Sequence, residues 1–170
     1  DAETVGEMNK DVQRLSTIAS RFSKIGSKPQ MEQDELNKVV ERSSSYMSSR
    51  ISSRISLTRN MYDGDLLVKL SAPLFEWVME NLIKNAVDAM EGTGAITITT
   101  GEERGMAFVE VADTGKGISR KNFKTIFNPG YTTKKRGWGL GLTLAKRIIE
   151  QYHSGKIYVR ASEPGVGTTF

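Results

Sequence analysis

The 170-residue chain contains no cysteine and a single histidine, and these two scarcities exclude several classes of protein. Without cysteine there is neither a disulfide scaffold nor a cysteine-ligated metal site, so we expect a reducing compartment, the cytoplasm. One histidine argues against a histidine-rich metal centre and against a serine–histidine–aspartate triad. No apolar run approaches the roughly 20 residues of a membrane span, and no signal peptide opens the chain. We therefore predict a soluble chain, from which any anchor or targeting segment of a parent protein has been left out.

Charge is distributed unevenly along the chain, although the formal net charge is only +4. Nine basic residues and no acidic residue lie between Thr114 and Ile149, so the rest of the chain is net negative. The basic block coincides with a glycine-rich stretch. A local positive field beside glycines favours a phosphate-bearing small molecule over nucleic acid, which would need a broader basic footprint. Within the block, Lys121 and Lys124 can equally belong to a solvated surface.

The N-terminal third of the chain is predicted to be helical. Apolar residues recur every three or four positions over residues 5–26, in a narrow stripe typical of a helix that pairs with other helices. A short linker follows at residues 27–31, and a second helix is expected from near Gln33. This helix runs into a stretch in which eight of the 14 residues from Ser43 to Ser56 are serine. Because the apolar stripe continues there, we favour a helix over a disordered, phosphorylatable segment.

From Ile55 onward the apolar period changes to two, which indicates strands. The predicted strands are Ile55–Arg59, Leu66–Leu70, Ala95–Thr100, Met106–Ala112, Lys156–Ala161 and Gly167–Phe170. Helices are expected over about 73–90 and 140–153, with a loop at 119–140 between them that contains one short helical turn. Strands and helices mixed without a strict alternating order predict an α+β fold. We expect a two-layer sandwich with a mixed sheet and helices on one face, preceded by a helical segment.

The first segment that indicates chemistry lies on the helix before Met90. Asn81, Asn85 and Asp88 are spaced by four and three residues and therefore share one helix face. Asparagine is a mediocre helix former, so we expect these amides to meet a ligand. Amide oxygens are hard ligands that suit Mg²⁺ shared with phosphate oxygens. The alternative is two ordinary surface asparagines.

Three glycine-containing segments follow. Asp113-Thr-Gly-Lys-Gly-Ile118 comes directly after a strand, where the carboxylate can accept a hydrogen bond from the amino group of a base. Gly137-Trp-Gly-Leu-Gly-Leu142 opens a helix, where exposed backbone N–H groups favour phosphate. Gly165-Val-Gly-Thr-Thr-Phe170 leads into the last strand. Neither the P-loop pattern nor the dinucleotide-binding pattern is present.

In this order and spacing, the four segments resemble the N box and the three glycine boxes of the histidine kinase catalytic and ATP-binding domain. That domain belongs to the Bergerat-fold ATPases, with gyrase, heat-shock chaperones and mismatch-repair ATPases. Residues 123–127 and 131–134 resemble the F box and the start of the ATP lid. The resemblance assigns 55–170 to the catalytic domain, 29–54 to a connecting helix and 1–28 to the second helix of the dimerisation and phosphoacceptor hairpin.

The resemblance also implies roles for individual residues. Asp113 would bind the adenine amino group, with Thr168 beside it. Asn85 would coordinate Mg²⁺, and Asn81 would face the phosphates one turn earlier, so these two asparagines are the expected catalytic pair. The other residues expected around the nucleotide are Lys84, Asp88, Gly115, Gly117, Ile118, Tyr131, Thr132, Thr133, Lys134, Gly137, Gly139, Leu140, Gly141 and Leu142. Lys135 and Arg136 would lie in the lid, within reach of the triphosphate.

The chain departs from the family pattern at three positions. Asp88 stands where many such kinases carry a basic residue, and Trp138 replaces a smaller lid residue, which we interpret as a hydrophobic clamp. The only histidine, His153, follows a helix and is interpreted as a dipole-stabilised residue at the helix C-terminus. No histidine precedes the N box. The chain is therefore expected to be a fragment that binds ATP but does not phosphorylate itself.

The expected function is transfer of the ATP γ-phosphoryl group to a histidine elsewhere and onward to an aspartate of a response-regulator receiver domain. The full protein is expected to form a homodimer through its N-terminal helix and to contact a membrane only through missing segments, as in an inner-membrane sensor. An ATP-hydrolysing switch is the first alternative. It needs a carboxylate where Asn81 stands, and Glu80 is rotated by about 100° around the helix. The second alternative is a non-catalytic dimerisation module with a relic pocket; no nucleic acid partner is expected.

Overall fold

The computed structural model describes residues 28–134 and 139–170, together with the isolated residues Gln13, Ser16, Ser20 and Ser23. The chain divides into two compact units, Asp1–Met31 and Glu32–Phe170. In the first unit the isolated residues Gln13, Ser16, Ser20 and Ser23 are helical and exposed. Their spacing of three and four residues places them on one helix face. The apolar stripe predicted for residues 5–26 lies outside the described residues.

The second unit is a mixed sheet with helices. Its elements in chain order are β1 (Glu32–Glu35), α1 (Leu36–Ser48), β2 (Ile55–Asn60), β3 (Leu67–Leu70), α2 (Ala72–Ala89), β4 (Gly94–Glu103), β5 (Met106–Asp113), two 3₁₀ turns (Arg120–Asn122 and Thr125–Phe127), α3 (Gly141–Arg147), a π-helical turn (Ile148–Tyr152), β6 (Ala161–Glu163) and β7 (Gly167–Thr169). The five-stranded sheet has the order β2-β4-β5-β7-β6, in which only β2 and β4 are parallel neighbours. The α+β class is confirmed.

Helix α1 begins three residues later than the sequence predicted, at Leu36, because Glu35 caps it. The Glu35 carboxylate accepts hydrogen bonds from the backbone N–H groups of Asn37 and Lys38, at 3.0 and 2.9 Å. The preceding residues Glu32–Glu35 form a strand that pairs antiparallel with β3. Capping by a side chain satisfies N–H groups that have no partner within the helix.

The serine-rich stretch is helical as far as Ser48. Ser43 and Ser44 are buried, and their hydroxyl groups donate to helix carbonyl groups one turn earlier, at 3.1 Å. Arg59 on β2 donates to Ser44 Oγ at 2.7 Å. These bonds explain how a run of serines can be packed against the domain: each buried hydroxyl has a partner. Helix α1, set apart above as part of a connecting segment, thus lies inside the compact unit Glu32–Phe170.

Helix α2 organises the core, because it packs against α1, α3 and strand β5. Met79 and Ile83 on α2 are fully buried, as are Ile96 and Ile98 on β4 and Val111 on β5. Burial of one such side chain stabilises the fold by about 1.5–3 kcal/mol. Since one side of α2 is fixed in the core, its opposite side presents the asparagines at the surface. None of the helices in the described part of the chain is both long and apolar enough to span a bilayer.

The last strands differ from the prediction. The sequence predicted a strand over Lys156–Ala161, whereas β6 starts only at Ala161. The reason is that β7 offers ladder partners only from Gly167 to Thr169. Before β6, the backbone N–H of Arg160 still donates to the carbonyl of Thr169, at 2.9 Å.

Candidate functional site

Asp113 ends strand β5 with its carboxylate among backbone N–H groups. The N–H of Gly115 donates to Asp113 Oδ1 at 2.8 Å, and the N–H of Thr168 also donates to this carboxylate. Burial raises the pKa of Asp113 above its ordinary value of 3.8, while the two N–H donors act in the opposite direction. The environment therefore holds a half-buried carboxylate in one orientation. Such a group can accept a hydrogen bond from an amino group.

The loop after Asp113 reaches its position through glycines that approach other parts of the backbone closely. A Cβ on Gly115 would lie 2.7 Å from the backbone of Ala89 at the end of α2, and the N–H of Lys116 donates to the Ala89 carbonyl at 3.0 Å. Gly117 has a φ of 72°, and a Cβ there would overlap the carbonyl oxygen of Glu163. The sequence suggested that these glycines wrap a ligand; in the structure they bring the protein's own segments together.

Ser162 is a site residue that the sequence did not reveal. Its hydroxyl accepts a hydrogen bond from the N–H of Ile118 at 2.7 Å and lies 2.9 Å from Thr168 Oγ1. It thereby joins the loop after Asp113 to β7. Thr168 is buried and pairs with Asp113 in the sheet, so it lies beside Asp113 as the family resemblance implies. A single serine on a three-residue strand carries no pattern, so only the structure identifies this anchor.

The polar face of α2 holds a cation at its exposed end. Lys134 Nζ lies 2.5 Å from Asp88 Oδ2 and 3.2 Å from Asn85 Oδ1. Two of the predicted site residues on α2 are thus brought together with one residue of the predicted lid. The neighbouring Thr133 accepts a hydrogen bond from Lys116 Nζ at 3.1 Å. Thr133 and Lys134 therefore contact both α2 and the loop that follows Asp113.

Asn85 and Asp88 have the ligand chemistry that Mg²⁺ requires. An amide oxygen and a carboxylate oxygen converge on one positive charge, and both are hard oxygen ligands of the kind Mg²⁺ takes. Within residues 28–134 and 139–170 there is no group of three or more His, Asp or Glu that could hold a metal alone. The donor set therefore fits a metal that also takes oxygens from water or phosphate.

Asn81 is one turn before Asn85, as predicted, but its amide is engaged locally. Its Nδ2 donates to the Trp77 carbonyl at 3.0 Å. Its Oδ1 would lie 2.7 Å from a Cβ placed on Gly141, the first residue of α3. Asn81 therefore marks the place where α3 approaches α2, and the glycine allows that approach.

Three apolar residues expected around the nucleotide pack together in a small core. Ile118, Tyr131 and Leu142 contact the buried cluster of Ile126, Phe127 and Val159. This cluster fixes the short turn of the F-box segment against α3, whose Thr143 hydroxyl donates to the Phe127 carbonyl at 2.9 Å. These apolar residues therefore pack in the hydrophobic cluster that holds the loop around the candidate site in place.

The other predicted site residues are distributed around the same region. Lys84 and Thr132 are exposed, and Leu140 is half-buried just before α3. The carbonyl of Gly139 accepts a hydrogen bond from the N–H of Gly130 at 3.1 Å. Four predicted residues lie outside the described part of the chain, namely Lys135, Arg136, Gly137 and Trp138.

His153 corrects the sequence interpretation. Burial lowers the pKa of His153 below its ordinary value of 6.5, whereas a dipole-stabilised cation would have a raised pKa. Nε2 accepts from the N–H of Ser71 at 3.1 Å, and Nδ1 lies 2.9 Å from the Ile148 carbonyl. This pairing requires the neutral ring with its proton on Nδ1. His153 thus links the start of α2 to the end of the π-helical turn.

A cavity of about 360 Å³ lies elsewhere in the unit, between α2 and β5. Its walls are mostly apolar and include Phe75, Met79, Phe108 and Phe170. None of the residues that the sequence predicts for nucleotide binding lines it. The candidate site is therefore the polar region around Asp113 and the end of α2.

Comparison with known proteins decides the family. The sequence pattern of the protein family described as histidine kinase-, DNA gyrase B- and HSP90-like ATPases matches residues 71–170. The chain belongs to this family. Sensor histidine kinase ZraS of Escherichia coli strain K12 is 34% identical over 167 residues, which cover 96% of this chain and 35% of ZraS. The chain thus spans about a third of the length of that curated relative.

Solved histidine kinases share the fold. The catalytic domain of the histidine kinase ThkA aligns with a TM-score of 0.74 and 29% identity, covering 83% of this chain and 92% of that one. A structure of ThkA in complex with the response regulator protein TrrA aligns with a TM-score of 0.76 and 26% identity, covering 95% of this chain and 48% of that one. The second unit of this chain is therefore an ATP-binding catalytic domain of the histidine kinase type, with the Bergerat fold.

Proposed function

We propose that the domain binds Mg²⁺–ATP and transfers its γ-phosphoryl group to a histidine side chain outside the domain. The observation that carries this proposal is the joining of two different binding features at one end of α2. Asp113 offers a half-buried carboxylate for the adenine base, and Asn85 with Asp88 offers oxygens for a cation. The contact of Gly115 and Lys116 with Ala89 connects them.

In the proposed reaction, the bond between the γ-phosphorus and the bridging oxygen breaks, and a nitrogen–phosphorus bond forms at the imidazole. ADP leaves with the electron pair, and the imidazole proton passes to solvent. Asn85 would hold Mg²⁺, which supplies neutralisation of phosphate charge. The role of this chain's residues is to position the nucleotide: Asp113 orients the base, and Lys134 can meet phosphate oxygens.

Asn81 favours transfer to a protein over hydrolysis. Its amide cannot take a proton from water, and its Nδ2 is already used by the helix. The structure of ThkA holds a response regulator protein. We propose a partner of the same class here, with the phosphoryl group passing on to a receiver aspartate. Pairing of two copies through residues 1–28, a magnesium cofactor and a cytoplasmic location are also proposals.

The full-length protein and γ-labelled ATP provide the test. We expect label on the protein that survives alkali and is lost in acid, as for phosphohistidine, together with negligible release of free phosphate. Steady release of phosphate without labelled protein would refute the kinase proposal and favour the hydrolytic alternative. The 170-residue chain, assayed alone, should bind the nucleotide and remain unlabelled.

A further inference from the structure

A lysine ammonium group lies where two ligand oxygens of α2 converge. Lys134 Nζ is 2.5 Å from Asp88 Oδ2 and 3.2 Å from Asn85 Oδ1. The two oxygens come from residues three apart on α2 and so face the same direction. One nitrogen therefore bonds both side chains at once. Lys134 and Asp88 are each about 40% exposed, so ions in solution can reach this place.

The backbone around Lys134 is fixed by further contacts. The hydroxyl of Thr132 accepts a hydrogen bond from the N–H of Lys134 at 3.1 Å. The hydroxyl of Thr133 accepts from Lys116 Nζ at 3.1 Å. Consecutive residues thus attach the segment 132–134 to two places, the loop after Asp113 and the polar face of α2. The second attachment depends on the Lys134 ammonium group.

An ammonium group and a divalent metal compete for the same lone pairs. Mg²⁺ prefers carboxylate and amide oxygens, keeps several waters, and often takes only one or two protein ligands. Asn85 and Asp88 offer such a pair. The two cations exclude each other at this place, because two positive charges held against the same pair of oxygens repel.

We propose that the Lys134 ammonium group and a divalent cation are alternative occupants of one site formed by Asn85 and Asp88. Entry of the metal releases Lys134 from α2, whereas the hydrogen bond between Thr133 and Lys116 is kept. The released ammonium group becomes available to phosphate oxygens. This inference rests on the proposed function for the role of Asn85, and it adds Asp88 as a metal ligand and Lys134 as the group that the metal displaces.

Binding of Mn²⁺ in the absence of nucleotide tests the competition directly. Free Mn²⁺ is measured by electron paramagnetic resonance for the unmodified chain, Lys134→Gln, Asp88→Asn and the double variant. Lys121→Gln is the control, because Lys121 is an exposed lysine of the same basic block and its replacement changes the net charge equally. Every variant alters an exposed side chain, and circular dichroism verifies that each remains folded.

The expected result is that Lys134→Gln binds Mn²⁺ about two- to fivefold more tightly than the unmodified chain, which is the range for loss of one exposed ion pair. Lys121→Gln should bind like the unmodified chain. Asp88→Asn should bind more weakly, and adding Lys134→Gln to it should give no further gain. Amide hydrogen exchange at residues 132–134 should speed up when Mn²⁺ saturates the unmodified chain.

Equal Mn²⁺ affinity of Lys134→Gln and Lys121→Gln would overturn the proposal. A gain from Lys134→Gln that persists in the Asp88→Asn background would overturn it too, because the effect would then be one of general charge. Both results leave the proposed function intact if nucleotide binding still requires the metal. Nucleotide binding that is independent of metal in the unmodified chain would instead refute the role of Asn85 within the proposed function.

Discussion

The close approach at Gly117 makes a sharp prediction, because the chain offers a matched control. Gly117 and Gly105 have almost the same φ, 72° and 75°. An added Cβ at Gly105 meets nothing within 4 Å, whereas at Gly117 it overlaps the Glu163 carbonyl oxygen. Replacing either residue by alanine therefore costs the same left-handed backbone strain, about 1 kcal/mol. Only Gly117→Ala adds a steric clash.

The clash cannot be relieved cheaply, because hydrogen bonds flank Gly117 on both sides. The Lys116 carbonyl accepts from the N–H of Gly165 at 2.8 Å, and the N–H of Ile118 donates to Ser162 at 2.7 Å. Forced shifts in packed regions cost about 1–3 kcal/mol. We therefore expect Gly117→Ala to lower the free energy of unfolding by about 2–4 kcal/mol in total, against about 1 kcal/mol for Gly105→Ala.

Urea unfolding followed by far-UV circular dichroism measures both values at one pH and temperature. At roughly 3 °C per kcal/mol for a chain of this size, the melting temperature should fall by about 6–12 °C for Gly117→Ala and about 3 °C for Gly105→Ala. Nucleotide binding should also weaken only in Gly117→Ala, since the loop that follows Asp113 must move. An equal loss of unfolding free energy in the two variants would refute the contact between this loop and the segment before β7.

Three further predictions concern the site and its supports. Ser162→Ala leaves the N–H of Ile118 without its partner and should cost about 1–3 kcal/mol in urea unfolding, whereas Ser154→Ala, at an exposed serine, should cost almost nothing. Asp113→Asn should raise the melting temperature of the nucleotide-free chain at pH 7, because the raised pKa means that the ionised carboxylate is disfavoured on folding; a lower melting temperature would contradict this. The pKa of His153 is lowered in the folded chain, so as the pH falls the unfolded chain binds a proton at this histidine before the folded chain does. The free energy of unfolding should therefore fall as the pH drops below about 6.5. The loss of unfolding free energy between pH 8 and pH 5.5 should be smaller in His153→Gln than in the unmodified chain. An identical pH profile for the two chains would contradict this prediction.

Strongly periodic segments could be predicted from the sequence. The alternation in β2, β4 and β5 and the amphipathic character of α2 placed these elements within a few residues of their observed bounds. The asparagine face of α2 and the carboxylate at the end of β5 follow from such local patterns. Strand β1 could not be predicted, because the sequence Glu-Gln-Asp-Glu has no strand character of its own. It is extended because it pairs with β3 and leads into the Glu35 cap.

The contacts that assemble the site were beyond sequence patterns, since they join distant segments. The sequence treated Asp88 as a departure from a family pattern, and the structure shows that it pairs with Lys134, 46 residues away. The family resemblance implies that the glycines face a ligand, and it does not reveal that Gly115 and Gly117 also contact the protein's own backbone. His153 lies at a helix terminus as the sequence predicts, but its ring is a neutral link that also bonds to Ser71, 82 residues away. Each case depends on packing between elements that no local period encodes.

The most direct test of the central claim is calorimetric titration of the 170-residue chain with a non-hydrolysable ATP analogue and Mg²⁺. The parent chain is compared with Asp113→Asn and with the control Asp65→Asn, which changes an exposed aspartate in the turn before β3. We predict saturable binding by the parent and the control, and about 10- to 150-fold weaker binding by Asp113→Asn, the range for loss of a hydrogen bond to a charged group. Equal affinity of all three chains would contradict the assignment of Asp113 and with it the account of the site.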